Sequence, residues 1–189
     1  MINIEGREFN WMNPPHSWSE DNGTLHLKTD AETDFWRKTH YGFISENGHF
    51  LFTEQSGNFE FLLQFSGKYT DLYDQAGLMI FHDWENWIKA GIEYVDDIQK
   101  ASAVVTRECS DWSVAPIKGM PETFFIKAKR GNDYVEVSYS LDGSTYQLLR
   151  QAYFPPSPSL KIGFMAASPK GGGFEVTFDH FEIKVANAE

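Results

Sequence analysis

Asn58-Phe59-Glu60-Phe61-Leu62-Leu63-Gln64-Phe65 is the stretch that decides the fold. Side chains of an extended chain change faces at every residue, so Phe59, Phe61, Leu63 and Phe65 share one face and Glu60, Leu62 and Gln64 the other. The first face must be buried. Runs of similar character recur outward from it, at Ala76 to His82, Trp87 to Val95, Ala101 to Glu108, Phe124 to Arg130, Tyr134 to Ser140, Tyr146 to Ala152, Leu160 to Ala166 and Phe174 to Ile183. Asp83 to Asn86, Asp96 with Asp97, Gly131 to Asp133, and Asp142 with Gly143 read as hairpin turns, which implies antiparallel pairing. In the closing run, Phe174, Val176 and Phe178 are in phase while Phe181 and Ile183 are out by one, so a bulge is predicted near Asp179 and His180. The pattern predicts an all-β sandwich of two antiparallel sheets.

Composition agrees with this reading. Aromatic residues make up 16% of the 189-residue chain, a share suited to pleated, half-buried surfaces. The length predicts a single domain over 1–189, with Phe154 to Ser159 and Lys170 to Gly173 as internal loops. Acidic side chains number 27 against 16 basic ones, so the surface repels phosphate backbones and anionic lipid, and nucleic acid is not expected as a partner. Met1 to Trp11 does not read as a secretory signal, no apolar run is long enough for a membrane helix, and the lone Cys109 cannot close an intrachain disulfide. These features predict a cytoplasmic protein with no membrane association. The stretch from Trp11 to Tyr41 is less regular, with a short strand at Leu25 to Leu27 and a helical turn predicted around Ala31 to Trp36.

Chemistry concentrates between Tyr73 and Asp97. In the strand Trp87 to Val95, one face carries Ile88, Ala90, Ile92 and Tyr94; the other carries Trp87, Lys89, Gly91 and Glu93. Lys89 and Glu93 lie about 13 Å apart along an extended strand, so each needs a different partner. Gly91 between them suits close approach of a ligand or of another backbone. The plain reading is a solvated face with structurally paired charges. The functional reading is a concave sheet face on which Trp87 or Trp36 stacks against a polar ligand while Lys89, Glu93 and Gln75 supply hydrogen bonds. Arg107, Asp111 and Trp112, at the end of the next strand and beyond, are placed to rim that face. Arg107 reads equally as an ion-pair partner of Glu93 or Asp111. Trp84, at a hairpin tip, is either an exposed partner anchor or folded back.

Asp74-Gln75-Ala76-Gly77-Leu78-Met79-Ile80, Asn86 to Glu93, Val105-Thr106 and Ser110-Asp111-Trp112-Ser113 resemble the uncharacterised regulation-of-enolase-like family. The similarity runs from about Asn10 to Val185 and includes Phe35-Trp36 and Val176 to Phe181. It implies the concanavalin A-like jelly roll, a fold shared by legume lectins, many glucanases and accessory domains of xylosidase-type enzymes. The family's name implies a link to enolase without supplying a biochemical site.

Catalytic members of that superfamily use Glu-x-Asp-x-x-Glu, in which alternation brings the carboxylates to one cleft. Glu32-Thr33-Asp34-Phe35-Trp36-Arg37 comes nearest and ends in arginine. Glu93 paired with Asp111 or Asp34 is the remaining acid pair. The six histidines form no metal-binding spacing, Gly171 to Gly173 is no phosphate cradle, and Cys109 has no local base, so neither cofactor nor metal is expected. The leading expectation is non-catalytic binding of a carbohydrate or other small polar ligand. The alternatives are an interaction module for a metabolic enzyme such as enolase and a cryptic glycoside hydrolase.

Overall fold

The computed structural model describes residues 1–185. Its strands in chain order begin with β1 (Ile2–Ile4), β2 (Arg7–Met12), β3 (Ser17–Asp21), β4 (Thr24–Lys28), β5 (Phe35–Arg37) and β6 (Ile44–Glu46). The middle of the chain forms β7 (His49–Ser56), β8 (Phe59–Gly67), β9 (Gln75–Asp83), β10 (Asn86–Val95), β11 (Ile98–Arg107) and β12 (Cys109–Pro116). It ends with β13 (Phe124–Arg130), β14 (Tyr134–Ser140), β15 (Gln147–Tyr153), β16 (Ser159–Ala167) and β17 (Glu175–Val185). Two antiparallel sheets stack: an eight-stranded one ordered β1-β2-β7-β16-β9-β10-β11-β12 and a seven-stranded one ordered β15-β14-β13-β8-β17-β4-β3. The architecture is a jelly-roll sandwich.

The alternation in β8 drives this stacking. Phe59, Phe61, Leu63 and Phe65 are fully buried and belong to the core between the sheets. Phe164, on the eight-stranded sheet, projects among Phe178 and Phe181 of the opposing sheet at ring distances of 5.3 and 5.5 Å. Rings packed at these separations add to the stabilisation from area burial. The register of β17 against β8 shifts between Phe178 and His180, and this bulge lets Phe178 and Phe181 both face inward. The turn between β10 and β11 is Asp96-Asp97 with φ of 57° and 59°, the left-handed pair that two-residue hairpins require.

One expected element differs. Instead of a helical turn, Phe35–Arg37 forms β5 and pairs with β6, joining Phe35 to Glu46 and Arg37 to Ile44. Tertiary burial overrides local preference, because Phe35, Trp36 and Arg37 are all buried. The β5–β6 hairpin lies over the outer face of the eight-stranded sheet and closes a second apolar cluster there, containing Phe35, Phe50, Met79, Phe81, Trp87 and Met165. The sheet therefore buries apolar side chains on both faces.

His49 helps to fix the approach to this hairpin. Its Nε2 accepts the Asp30 backbone N–H at 2.9 Å and its Nδ1 lies 2.8 Å from the Asn13 carbonyl, so the ring is neutral with its proton on Nδ1. Burial pushes its pKa below the ordinary value of 6.5, against the opposing influences of the Asn13 carbonyl and Asp30. A histidine neutral in the native state stabilises the fold fully above the unfolded value, and that contribution is lost as pH falls below it toward the folded value. Urea midpoints are expected to fall between pH 7.5 and about 5.5, and His49→Gln is expected to flatten this slope. An equally steep slope in the variant would assign it to other groups.

Candidate functional site

The β5–β6 hairpin roofs a cavity of about 320 Å³ on the outer face of the eight-stranded sheet. Lys89 and Glu93 of β10 and Gln75 of β9 contribute to its floor, and Asp34 enters from the segment preceding β5. Pairing of Lys89 with Met79 and Glu93 with Gln75 settles the β9–β10 register and puts these side chains on one face. Aromatic walls come from Trp36, Tyr41 and Phe43 of the hairpin, from Tyr73, and from Trp112 of β12. Between Lys89 and Glu93, Gly91 faces Gly77 across the strand pair. A Cβ on Gly91 would overlap the Ala76 carbonyl and lie 2.7 Å from the Gly77 Cα, so the glycine serves approach of another backbone.

The charges on the floor are held by specific partners. Lys89 Nζ donates to Asp34 Oδ1 at 3.0 Å and to the Phe35 carbonyl at 2.6 Å, which ties the floor to the roof. Glu93 Oε2 accepts from the Ser102 hydroxyl and from the Trp112 indole N–H, each at 2.7 Å. Burial raises the Glu93 carboxyl above the ordinary value of 4.5, and Lys89, Ser102 and Trp112 offset part of that rise. The Tyr73 phenol is pushed up to about 12, first by the adjoining Tyr41 hydroxyl and then by burial.

Arg37 clamps the roof in place. Its guanidinium reaches Glu46 Oε1 at 2.7 Å, Glu85 Oε1 at 3.3 Å and the Glu108 carbonyl at 3.3 Å, while its backbone N–H donates to Ser110 Oγ at 2.9 Å. The hairpin is thereby fastened to the β9–β10 and β11–β12 turns. Its tip turns at Lys38, His40 and Gly42 with positive φ, and Trp36 Nε1–H donates to the Thr39 carbonyl at 3.0 Å.

Of the residues expected to bind a ligand, Trp36, Gln75, Lys89, Glu93 and Trp112 line the cavity. Trp87 and Arg107 lie outside it. Trp87 is 1% exposed and packs under the hairpin against Phe35, so its ring offers no free plate. Arg107 lies within 4.0 Å of Asp111 and over the Tyr153 ring on the surface. Glu32 and Asp34 line the same cavity as Glu93, whereas Asp111 does not. Asp34, expected from sequence only as an acid partner for Glu93, enters the cavity as the partner of Lys89, and Tyr41, Phe43 and Tyr73 are cavity residues that sequence reasoning did not single out. The Tyr41-Gly42-Phe43 turn was the one local signal for Tyr41 and Phe43.

The family described as protein of unknown function (DUF1349) matches residues 11–186. The chain belongs to the DUF1349 family. This DUF1349 chain is similar to regulation of enolase protein 1 of Saccharomyces cerevisiae, 39% identical over 181 residues that cover 96% of this chain and 91% of the relative. The crystal structure of a functionally unknown protein from Saccharomyces cerevisiae superposes with a TM-score of 0.92 at 38% identity, covering 95% of this chain and 97% of that one. At 17% identity, the GH43 protein BlXynB from Bacillus licheniformis shares the fold with a TM-score of 0.74 over 94% of this chain and 37% of its own. The carbohydrate-binding module CBM66 from Bacillus subtilis shares it at 12% identity with a TM-score of 0.59, over 92% and 94% of the two chains. The DUF1349 sandwich thus has the fold found in glycoside hydrolases and carbohydrate-binding modules.

Proposed function

We propose that this protein is a non-catalytic binding module that recognises a carbohydrate in the cavity beneath the β5–β6 hairpin. The observation that carries the reading is the combination of aromatic walls with a polar floor in one sugar-sized recess. Apolar sugar faces stack on rings such as Trp112 and Tyr73, and hydroxyl groups meet Lys89, Glu93 and Gln75. Binding accounts for the floor better than turnover does, because Asp34 is ion-paired to Lys89 and Glu93 is held by Trp112 and Ser102. The free, exposed thiol of Cys109 supports a reducing, cytoplasmic setting.

Calorimetric titration with monosaccharides and disaccharides tests this reading. At least one is expected to bind the wild type, and Trp112→Ala is expected to weaken that affinity about tenfold through the lost stacking surface. Absence of binding across the panel, or a variant that binds as tightly as wild type, would contradict it.

A second reading is favoured by the yeast relative, whose name ties it to regulation of enolase. In that reading the protein docks on a metabolic enzyme, with the 38% exposed Trp84 at the β9–β10 tip as an anchor. Surface binding to purified enolase that is lost in Trp84→Ala supports it; binding unaffected by that change, or no binding, counts against it.

A further inference from the structure

We propose that the cavity prefers a sugar bearing a primary ammonium group over its neutral counterpart. This rests on the carbohydrate reading and specifies its chemistry. The argument begins with hydrogen-bond inventory. Both indole N–H groups at the cavity are engaged inside the protein, that of Trp36 by the Thr39 carbonyl and that of Trp112 by Glu93. The Gln75 amide donates to the Tyr73 carbonyl at 3.1 Å and to Asp34 Oδ1 at 3.4 Å. Two of the three ammonium hydrogens of Lys89 are engaged by Asp34 and Phe35.

The acceptors show the opposite balance. Every hydrogen bond to the Asp34 carboxylate falls on Oδ1 and every one to the Glu93 carboxylate falls on Oε2, so among the described residues nothing donates to Asp34 Oδ2 or Glu93 Oε1. Glu93 is 7% exposed and lines the cavity. Lys89 is neutralised by Asp34 at 3.0 Å, whereas no cation among the described residues comes within ion-pair distance of Glu93. A buried carboxylate of this kind is stabilised by an incoming donor, and most by a charged one.

An ammonium group supplies three donors and no acceptor, which matches the open oxygens of Asp34 and Glu93 in a lining that carries three carboxylates, Glu32, Asp34 and Glu93, against two ammonium groups, Lys89 and Lys170. A neutral hydroxyl can donate to the same oxygens, but it brings a single donor and no charge. The surrounding rings work in the same direction: Tyr73 and Trp112 lie 6.3 Å apart, and Trp36 and Tyr41 lie 5.7 Å apart. Aromatic faces attract cations, and the net charge of −11 steers them toward the surface.

Isothermal titration with glucosamine, glucose and N-acetylglucosamine at neutral pH tests the proposal on wild type and Glu93→Gln. Wild type is expected to bind glucosamine about tenfold more tightly than either neutral sugar, as for a charge-assisted hydrogen bond replacing a neutral one. Glu93→Gln, which keeps an acceptor oxygen for Trp112 and Ser102, is expected to reduce that preference to within about twofold. If the variant does not fold, wild-type titrations at rising salt provide the readout: glucosamine binding weakens and glucose binding does not. Equal wild-type affinities, a preference that survives in Glu93→Gln, or salt-independent glucosamine binding would overturn the ammonium proposal and leave carbohydrate binding intact. Failure of every sugar to bind would remove both.

Discussion

Gly91→Ala lowers stability by about 4 kcal/mol, or about 8–16 °C in Tm, because its methyl group has no space between two backbones. The pairing of Gly91 with Gly77 is reciprocal: a Cβ on Gly77 would in turn lie 2.7 Å from the Gly91 Cα and overlap the Ala90 carbonyl. Relief requires β9 and β10 to separate where they carry Gln75, Lys89 and Glu93. Stability and cavity geometry are therefore lost together. Thermal unfolding followed by circular dichroism checks this, and a Tm within about 2 °C of wild type would show that the strands move apart at little cost.

Lys89→Met produces the second large effect. Methionine fills similar space but leaves the Asp34 carboxylate, whose side chain is 17% exposed, without its cation, and it removes a donor from the Phe35 carbonyl. Breaking a mostly buried pair from one side costs about 2–4 kcal/mol, because the stranded charge remains desolvated. The double change Lys89→Met with Asp34→Leu is expected to recover about half of this loss, since it removes both charges at once. Guanidinium unfolding of the set measures the coupling. A double variant no more stable than Lys89→Met would mean that solvent already screens Asp34.

The sandwich was legible because its signal is local. Phe59, Phe61, Leu63 and Phe65 announce their face within eight residues, and the phase slip before Phe181 marks the bulge at Asp179. The floor was legible for the same reason: period-two spacing alone puts Lys89 and Glu93 on one side of β10. The roof was hidden. Phe35–Arg37 is too short for a periodic pattern, and its conformation follows from covering Phe50, Met79 and Trp87, which are distant in sequence. Missing that cover explains why Trp87 reads as an available plate when it is in fact packed beneath Phe35. It also explains why Asp34, noticed in the sequence only as a candidate acid, gave no local sign of its pairing with Lys89 from 55 positions away. His49–Ser56 escaped for a related reason: its first three residues are buried in succession, which erases the alternation.

The cavity can be interrogated directly through its indoles. The chain has six tryptophans, and each carries one N–H that nuclear magnetic resonance resolves when the protein is labelled with nitrogen-15. During titration with a sugar that binds, the signals of Trp36 and Trp112 should shift together and saturate, while those of the surface residues Trp18 and Trp84 stay in place. Saturable shifts confined to Trp18 or Trp84, with Trp36 and Trp112 unmoved, would contradict recognition beneath the hairpin.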